Sequence, residues 1–325
     1  MFKNRITEMF GIEYPIIGGA MLWLSRAELV SAISNAGGLG ILSSLTFDTL
    51  EGLREEIKKT KSMTDRPFAV NVTLLPTVRK VNYEEYFKAI MDEGVSIIET
   101  AGRPPDPDWI KLIKDAKVKL IHKAAAVRHM VAAEKVGMDA VTIVGFEAGG
   151  HPGMLDVSSL VQIPLAVDAV KVPLIGGGGI ADARGFVAAL ALGAEGVTMG
   201  TRFMVSQESG MHPKLKEWFL QASETDTIMI QRSIRNAARV IKTAYSQKIL
   251  EMEEKGATLE ELMPLISGHL GRKALQETGD IESALIYSGQ SVGLIREAPS
   301  VKEIIDSIIS EAKLIGQRLK KVGVS

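Results

Sequence analysis

Eight short apolar runs, each followed by a stretch with helical spacing, constrain the fold of this chain more tightly than any other feature. They lie near Tyr14–Gly18, Gly38–Ser43, Phe68–Leu74, Val95–Thr100, Val118–Lys123, Ala140–Gly145, Pro173–Gly177 and Gly196–Gly200. Most show no polar alternation, which suits parallel strands covered on both faces. Strands separated by helical segments, such as Arg26–Asn35, Ala125–Val136 and Ala183–Leu192, imply right-handed βαβ units. Eight units in about 200 residues is the count and length of a closed (β/α)₈ TIM barrel. A doubly wound sheet would need Gly-x-Gly-x-x-Gly after the first strand. Here that strand runs into Gly18-Gly19-Ala20-Met21-Leu22-Trp23 instead. The expected class is therefore α/β, a TIM barrel over residues 1–204 with a helical C-terminal appendage over 205–325. The appendage is helix-rich from His212 to about Lys273. Its last helix, Val301–Lys321, has an apolar stripe and basic residues at its end, and is expected to return to the barrel.

Composition enters by exclusion. The chain has no cysteine, so disulfides, thiolate zinc sites, iron–sulfur clusters and cysteine nucleophiles are ruled out, and no metal site is expected. Redox chemistry would need a bound organic cofactor. A formal net charge of −1 offers no basic field for nucleic acid. Apolar runs stop well short of the roughly 20 residues that span a bilayer. The opening Met1-Phe2-Lys3-Asn4-Arg5-Ile6-Thr7-Glu8 lacks a signal peptide's apolar core, so a cytoplasmic protein with no membrane partner is expected.

Barrel enzymes place their chemistry at the C-terminal ends of the strands and often hold a phosphate in the loops after strands seven and eight. After strand seven comes Gly176-Gly177-Gly178-Gly179-Ile180-Ala181-Asp182, running into a helix that Asp182 can cap. After strand eight, Met199-Gly200-Thr201-Arg202-Phe203 offers a glycine amide, a hydroxyl and a guanidinium. Together the two loops read as a phosphate site. After strand six, Gly145-Phe146-Glu147-Ala148-Gly149-Gly150-His151-Pro152-Gly153 sets His151 between glycines at the same rim. Of five histidines it is the one in such a loop, which points to proton transfer. Glu147 suits either a catalytic carboxylate or a support for the loop. Lys123 ends strand five and points to the rim, and Asn71 suits a polar ligand contact or a turn cap.

In this order the motifs resemble the nitronate monooxygenase (2-nitropropane dioxygenase) superfamily of FMN barrels. The likeness begins at Arg5-Ile6-Thr7-Glu8 and runs through Ser34-Asn35-Ala36-Gly37-Gly38-Leu39-Gly40, Asp65-Arg66-Pro67-Phe68-Ala69-Val70-Asn71 and Glu147-Ala148-Gly149-Gly150-His151. It continues through Gly178-Gly179-Ile180-Ala181-Asp182 and Met199-Gly200-Thr201-Arg202-Phe203 to Ser288-Gly289-Gln290-Ser291-Val292-Gly293-Leu294. Within the superfamily the chain is most similar to FabK-type enoyl-acyl-carrier-protein reductases, notably over Met211–Lys214 and Arg235–Lys242. His122–His129 looks closer to the nitronate-oxidising branch, and Pro152 after the histidine departs from the reductases. The resemblance implies FMN phosphate on Gly178, Gly179, Gly200 and Thr201. It implies the flavin ring against Gly18, Gly19 and Met21, with Asn71 and Gln290 among the polar contacts and His151 near its reactive face. Ala148, Gly149 and Gly150 are further candidate cofactor contacts, and Lys123, from its place at the strand end, suits negative charge on a reduced flavin.

The leading expectation is NAD(P)H-dependent reduction of trans-2-enoyl thioesters on acyl carrier protein, with His151 as general acid or thioester-orienting group and NADH or NADPH docking transiently. The alternative is O₂-dependent oxidation of alkyl nitronates, with His151 as base or anion partner. A third is a non-catalytic phosphate-ligand barrel. The appendage's amphipathic helices offer a surface for a homodimer.

Overall fold

The computed structural model describes residues 2–74 and 81–323. All eight expected strands are present: β1 Ile16–Gly18, β2 Gly40–Ser43, β3 Phe68–Leu74, β4 Ile97–Gly102, β5 Lys119–Ala124, β6 Ala140–Val144, β7 Leu174–Gly177 and β8 Gly196–Met199. They pair in parallel in the order β1-β8-β7-β6-β5-β4-β3-β2. A parallel bridge, Ile17 with Leu39, joins the two ends and closes the barrel. Its bonds are Gly18 N–H to Leu39 O at 2.9 Å and Leu39 N–H to Ile16 O at 2.9 Å. Five strands begin one or two residues later than expected, among them β1 after Pro15 and β7 after Pro173. Proline has no N–H for the ladder, so pairing starts beyond it.

Inside the barrel, side chains fall into layers. Ile17, Ile41, Ala69, Ile97, Ile121, Ala140 and Ile175 share one apolar cluster with Ile6 and Phe10 of the N-terminal helix Arg5–Phe10, which plugs the bottom. Strand period two turns the residue two places on to the same interior. Those positions are Gly19, Ser43, Asn71, Glu99, Lys123, Thr142, Gly177 and Thr198. The floor of the open end is therefore polar, directly above an apolar plug. A larger apolar cluster fills the space between the strands and the surrounding helices.

The final helix forms over Val301–Lys321 as expected, opened by a Ser300–Glu303 capping box. Val301, Ile304, Ile305, Ile308, Ile309 and Ala312 make its buried stripe, which packs on the helices Ala183–Ala191 and Ala27–Asn35. It thus takes the place of the barrel's eighth helix, and the segment 205–300 is an excursion between β8 and that helix. The excursion departs from the all-helical expectation. It holds helices such as Ala244–Glu254 and also an antiparallel pair, β9 Thr227–Ile230 and β10 Ala238–Ile241. Among the described residues no helix is long and apolar enough to cross a membrane.

Candidate active site

The loops after β6, β7 and β8 meet at one rim. Gly178 and Gly179 have φ of +95° and +70°, a left-handed turn that side-chain-bearing residues rarely adopt. Asp182 then caps the helix Ala183–Ala191, accepting from Arg184 N at 2.8 Å and Gly185 N at 3.3 Å. No acceptor among the described residues takes the N–H of Gly179 or of Gly200. Such amides at the rim of a barrel suit an anion. Met21 reaches across from the β1 loop, its Sδ 3.8 Å from where a Cβ on Gly200 would stand.

Residues 288–290 are stitched onto this rim. Gly289 N donates to Thr201 Oγ1 at 3.0 Å and Gln290 N to Glu147 O at 3.0 Å. A Cβ on Gly149 would stand 2.6 Å from Gly289 N, so glycine there is a condition of the close approach. Ala148 N closes the turn onto Gly145 O at 3.0 Å. Of the two roles left open for Glu147, the structure builds the support. Its carboxylate accepts from Ser159 N at 2.9 Å and from the Ser159 hydroxyl, beneath the Gly178–Gly179 turn. The Arg202 guanidinium, expected at the rim, is buried and turned away to Glu297 O at 2.7 Å.

The polar floor carries a cluster that sequence reasoning missed in part. Asn71 lies beside Glu99 in the β3–β4 register and donates Nδ2–H to its Oε1 at 2.7 Å, while its own Oδ1 accepts from Thr73 at 2.7 Å. Asn71 is thus spent largely on the protein. Lys123 Nζ lies 3.9 Å from the same Glu99 oxygen, with the carboxylate side chain 2% exposed and the lysine 26%. An unpaired carboxylate so deep would cost several kcal/mol, so the amide and ammonium account for its presence. Glu99 left no motif. It is one acidic residue in an apolar strand, which is itself a signal when the position faces inward.

His151 is held by the excursion. Gly150 and Arg239 of β10 form an antiparallel bridge, with bonds of 3.1 and 2.7 Å. Arg239 also donates Nε–H to Phe146 O at 3.1 Å and lies over the Phe146 ring at 4.5 Å. At the turn between β9 and β10, Asn236 O sits 3.2 Å from His151 Nδ1. A carbonyl can only accept, so Nδ1 carries the proton and Nε2 keeps its lone pair. The ring is solvent-accessible, with atoms of several elements around it. Desolvation lowers its pKa below the usual value. The backbone carbonyls of Asn236 and Ala237 oppose that shift, and the Lys123 charge adds to it. The lowered pKa favours the neutral imidazole, with its proton on Nδ1. Tyr287 packs against it, ring centroids 5.7 Å apart.

His122, at the end of β5, has a different fate. It faces outward, fully buried, with Thr100 Oγ1 at 2.9 Å from its Nδ1. Burial, with His129 nearby, pushes its pKa down to about 4.

Comparison with known proteins places this geometry. The nitronate monooxygenase family model matches residues 3–311. A probable nitronate monooxygenase of Staphylococcus aureus (strain MSSA476) is 33% identical over an alignment of 354 residues, covering 97% of this chain and 99% of that protein. Among solved structures, FabK from Thermotoga maritima superposes with a TM-score of 0.92 at 36% identity, covering 99% of this chain and 100% of that one. A nitroalkane oxidase from Streptomyces ansochromogenes has a TM-score of 0.85 at 23% identity, covering 97% and 100%, a likeness of fold alone. These matches make the chain an enzyme and set aside the non-catalytic barrel.

Proposed function

Because the chain belongs to the nitronate monooxygenase family of flavin-dependent oxidoreductases, we propose that it binds FMN at the glycine rim and oxidises alkyl nitronates and their parent nitroalkanes with O₂. The amides of Gly178, Gly179 and Gly200 with the Thr201 hydroxyl would hold the phosphate. Gly18, Gly19 and Met21 would bear the ring, and Gln290 would meet its polar edge. The acceptor-free amides of Gly179 and Gly200 are the feature that fits an anion there. Bound FMN would take the substrate's electrons and pass them to oxygen.

The observation that carries the choice of substrate is the tautomer of His151. A neutral ring with Nε2 unprotonated is ready to take a proton from carbon and unready to give one. Nitroalkane oxidation begins by removing the proton beside the nitro group. Enoyl reduction, the leading expectation from the sequence, would ask the same ring to donate. Desolvation and Lys123 both oppose the charged form it would need. Lys123 supplies the one positive charge among the eight inward positions of the floor, and its ammonium lies 3.9 Å from the Glu99 carboxylate.

Oxygen uptake by the flavin-loaded protein with ethyl nitronate, without pyridine nucleotide, tests the reading. Uptake coupled to nitronate loss is expected, and none at all rejects it. The reductase reading keeps one observation in its favour, 36% identity to FabK along the whole chain. Its test is anaerobic reduction by NADH or NADPH followed by reoxidation with a short trans-2-enoyl thioester or with the acyl carrier protein conjugate.

A further inference from the structure

Beside His151 stands a phenol that neither the motifs nor the family comparison assigns. Tyr287 is partly exposed, its backbone bridges Val240 of β10, and its ring faces the imidazole at 5.7 Å and 47°. Three polar residues of the excursion fix both groups together. Asn236, whose carbonyl accepts from His151, donates Nδ2–H to Gln231 Oε1 at 3.2 Å. The Gln231 side chain in turn lies next to the Tyr287 hydroxyl. Oε1 of Gln231 is already engaged by Asn236, and the phenol O–H is a donor available to a ligand.

Gln231 is no adjustable link. It is buried, its φ is +63°, and its N–H is anchored on Glu253 Oε2 at 2.5 Å. Glu253 also binds Ser233 through N at 3.0 Å and Oγ at 2.8 Å. A left-handed backbone at a glutamine is strained and persists only where the surroundings enforce it. The network therefore presents, on one wall, an acceptor at His151 Nε2 and a donor at Tyr287 Oη.

We propose that Tyr287 is a further catalytic residue whose hydroxyl donates to an oxygen of the substrate's nitro group while His151 Nε2 faces the adjoining C–H. The inference rests on the nitroalkane reading given above. In the step it serves, the proton passes from carbon to Nε2. The C–H electron pair becomes the C=N bond, and the N=O π pair moves onto oxygen. The product is a nitronate anion beside an imidazolium, with no net oxidation. Tyr287 keeps its proton and stabilises the charge that grows on that oxygen, as donors aimed at a developing oxyanion do.

Tyr287→Phe tests this, since it removes the hydroxyl and keeps the ring against His151. Neutral nitroethane acquires its negative charge only in the transition state, so its kcat should fall about 10²-fold with little change in KM. Preformed ethyl nitronate already carries the charge when it binds, so its KM should rise while kcat stays within about twofold. Oxygen uptake with both substrates reads the split, and the flavin spectrum confirms loading. Wild-type kinetics on both substrates, or an equal loss on both, overturns the catalytic role of Tyr287 alone. A wild-type protein that consumes oxygen with neither substrate overturns the nitroalkane reading, and this inference with it.

Discussion

The barrel and the excursion between β8 and the last helix divide the site by the kind of work each does. The barrel supplies turns whose shape is set by backbone, namely the glycine rim and the floor reached by strand alternation. The excursion supplies orientation. Its β9–β10 turn fixes the tautomer of His151 and sets Tyr287 beside it. The barrel side can hold an anion with main-chain groups, because a phosphate asks only for amides. An imidazole that is to transfer a proton needs a partner of defined polarity at one nitrogen, and at His151 a carbonyl from a separate element supplies it. The two regions should therefore fail separately under mutation.

The sharpest break falls on His151. His151→Ala should leave FMN bound at the rim and lower turnover by about 10²-fold to 10⁴-fold, read as oxygen uptake beside the flavin spectrum. A variant that loses flavin and activity together would join what is here divided.

The barrel side breaks through stability. Ile175→Ala empties a fully buried position in the lower layer and should cost about 2–5 kcal/mol in urea unfolding, with His151 chemistry intact in the folded fraction.

The two histidines at strand ends give a third, smaller contrast. His122 has its folded pKa depressed to about 4, so the unfolded chain binds its proton first. Its stabilising effect is complete above about pH 6.5 and is lost as pH falls from there to about 4, by roughly 3 kcal/mol. The urea midpoint should drop across that window and drop less in His122→Gln. His151 lies on the excursion side, where its protonation should register in activity. As a base it works when neutral, so kcat/KM should rise through a pKa below the usual histidine value and then level off.

The smallest effect tunes that limb. Lys123→Met removes a cation that disfavours imidazolium, so the acid limb of the kcat/KM profile should move to higher pH. An unmoved limb would mean that the ammonium is fully compensated by Glu99 at 3.9 Å.

How far the sequence could be read followed the range of the interactions. The eight strands and the helix Val301–Lys321 were legible because each depends on period and local caps: apolar runs, Asp182, the Ser300–Glu303 box. The glycine rim was legible because chain order places it after strands seven and eight. The excursion reads as helical in sequence because β9 and β10 are four residues each and depend on tertiary contacts for their pairing. Arg202 reads as a rim cation because its neighbours are rim residues, although its side chain leaves for the Glu297 carbonyl.

By itself, then, the amino-acid order determined a closed parallel barrel, the strand ends that carry its loops, and the histidine that stands among their glycines. Those properties follow from periodicity and backbone geometry, which neighbours in sequence decide. Tertiary structure alone decided that Glu99 would be neutralised at the floor, and that a turn some eighty residues past His151 would hold its Nδ1 proton. Hydrogen-bond direction and desolvation depend on which groups meet in space, and no local pattern encodes that meeting.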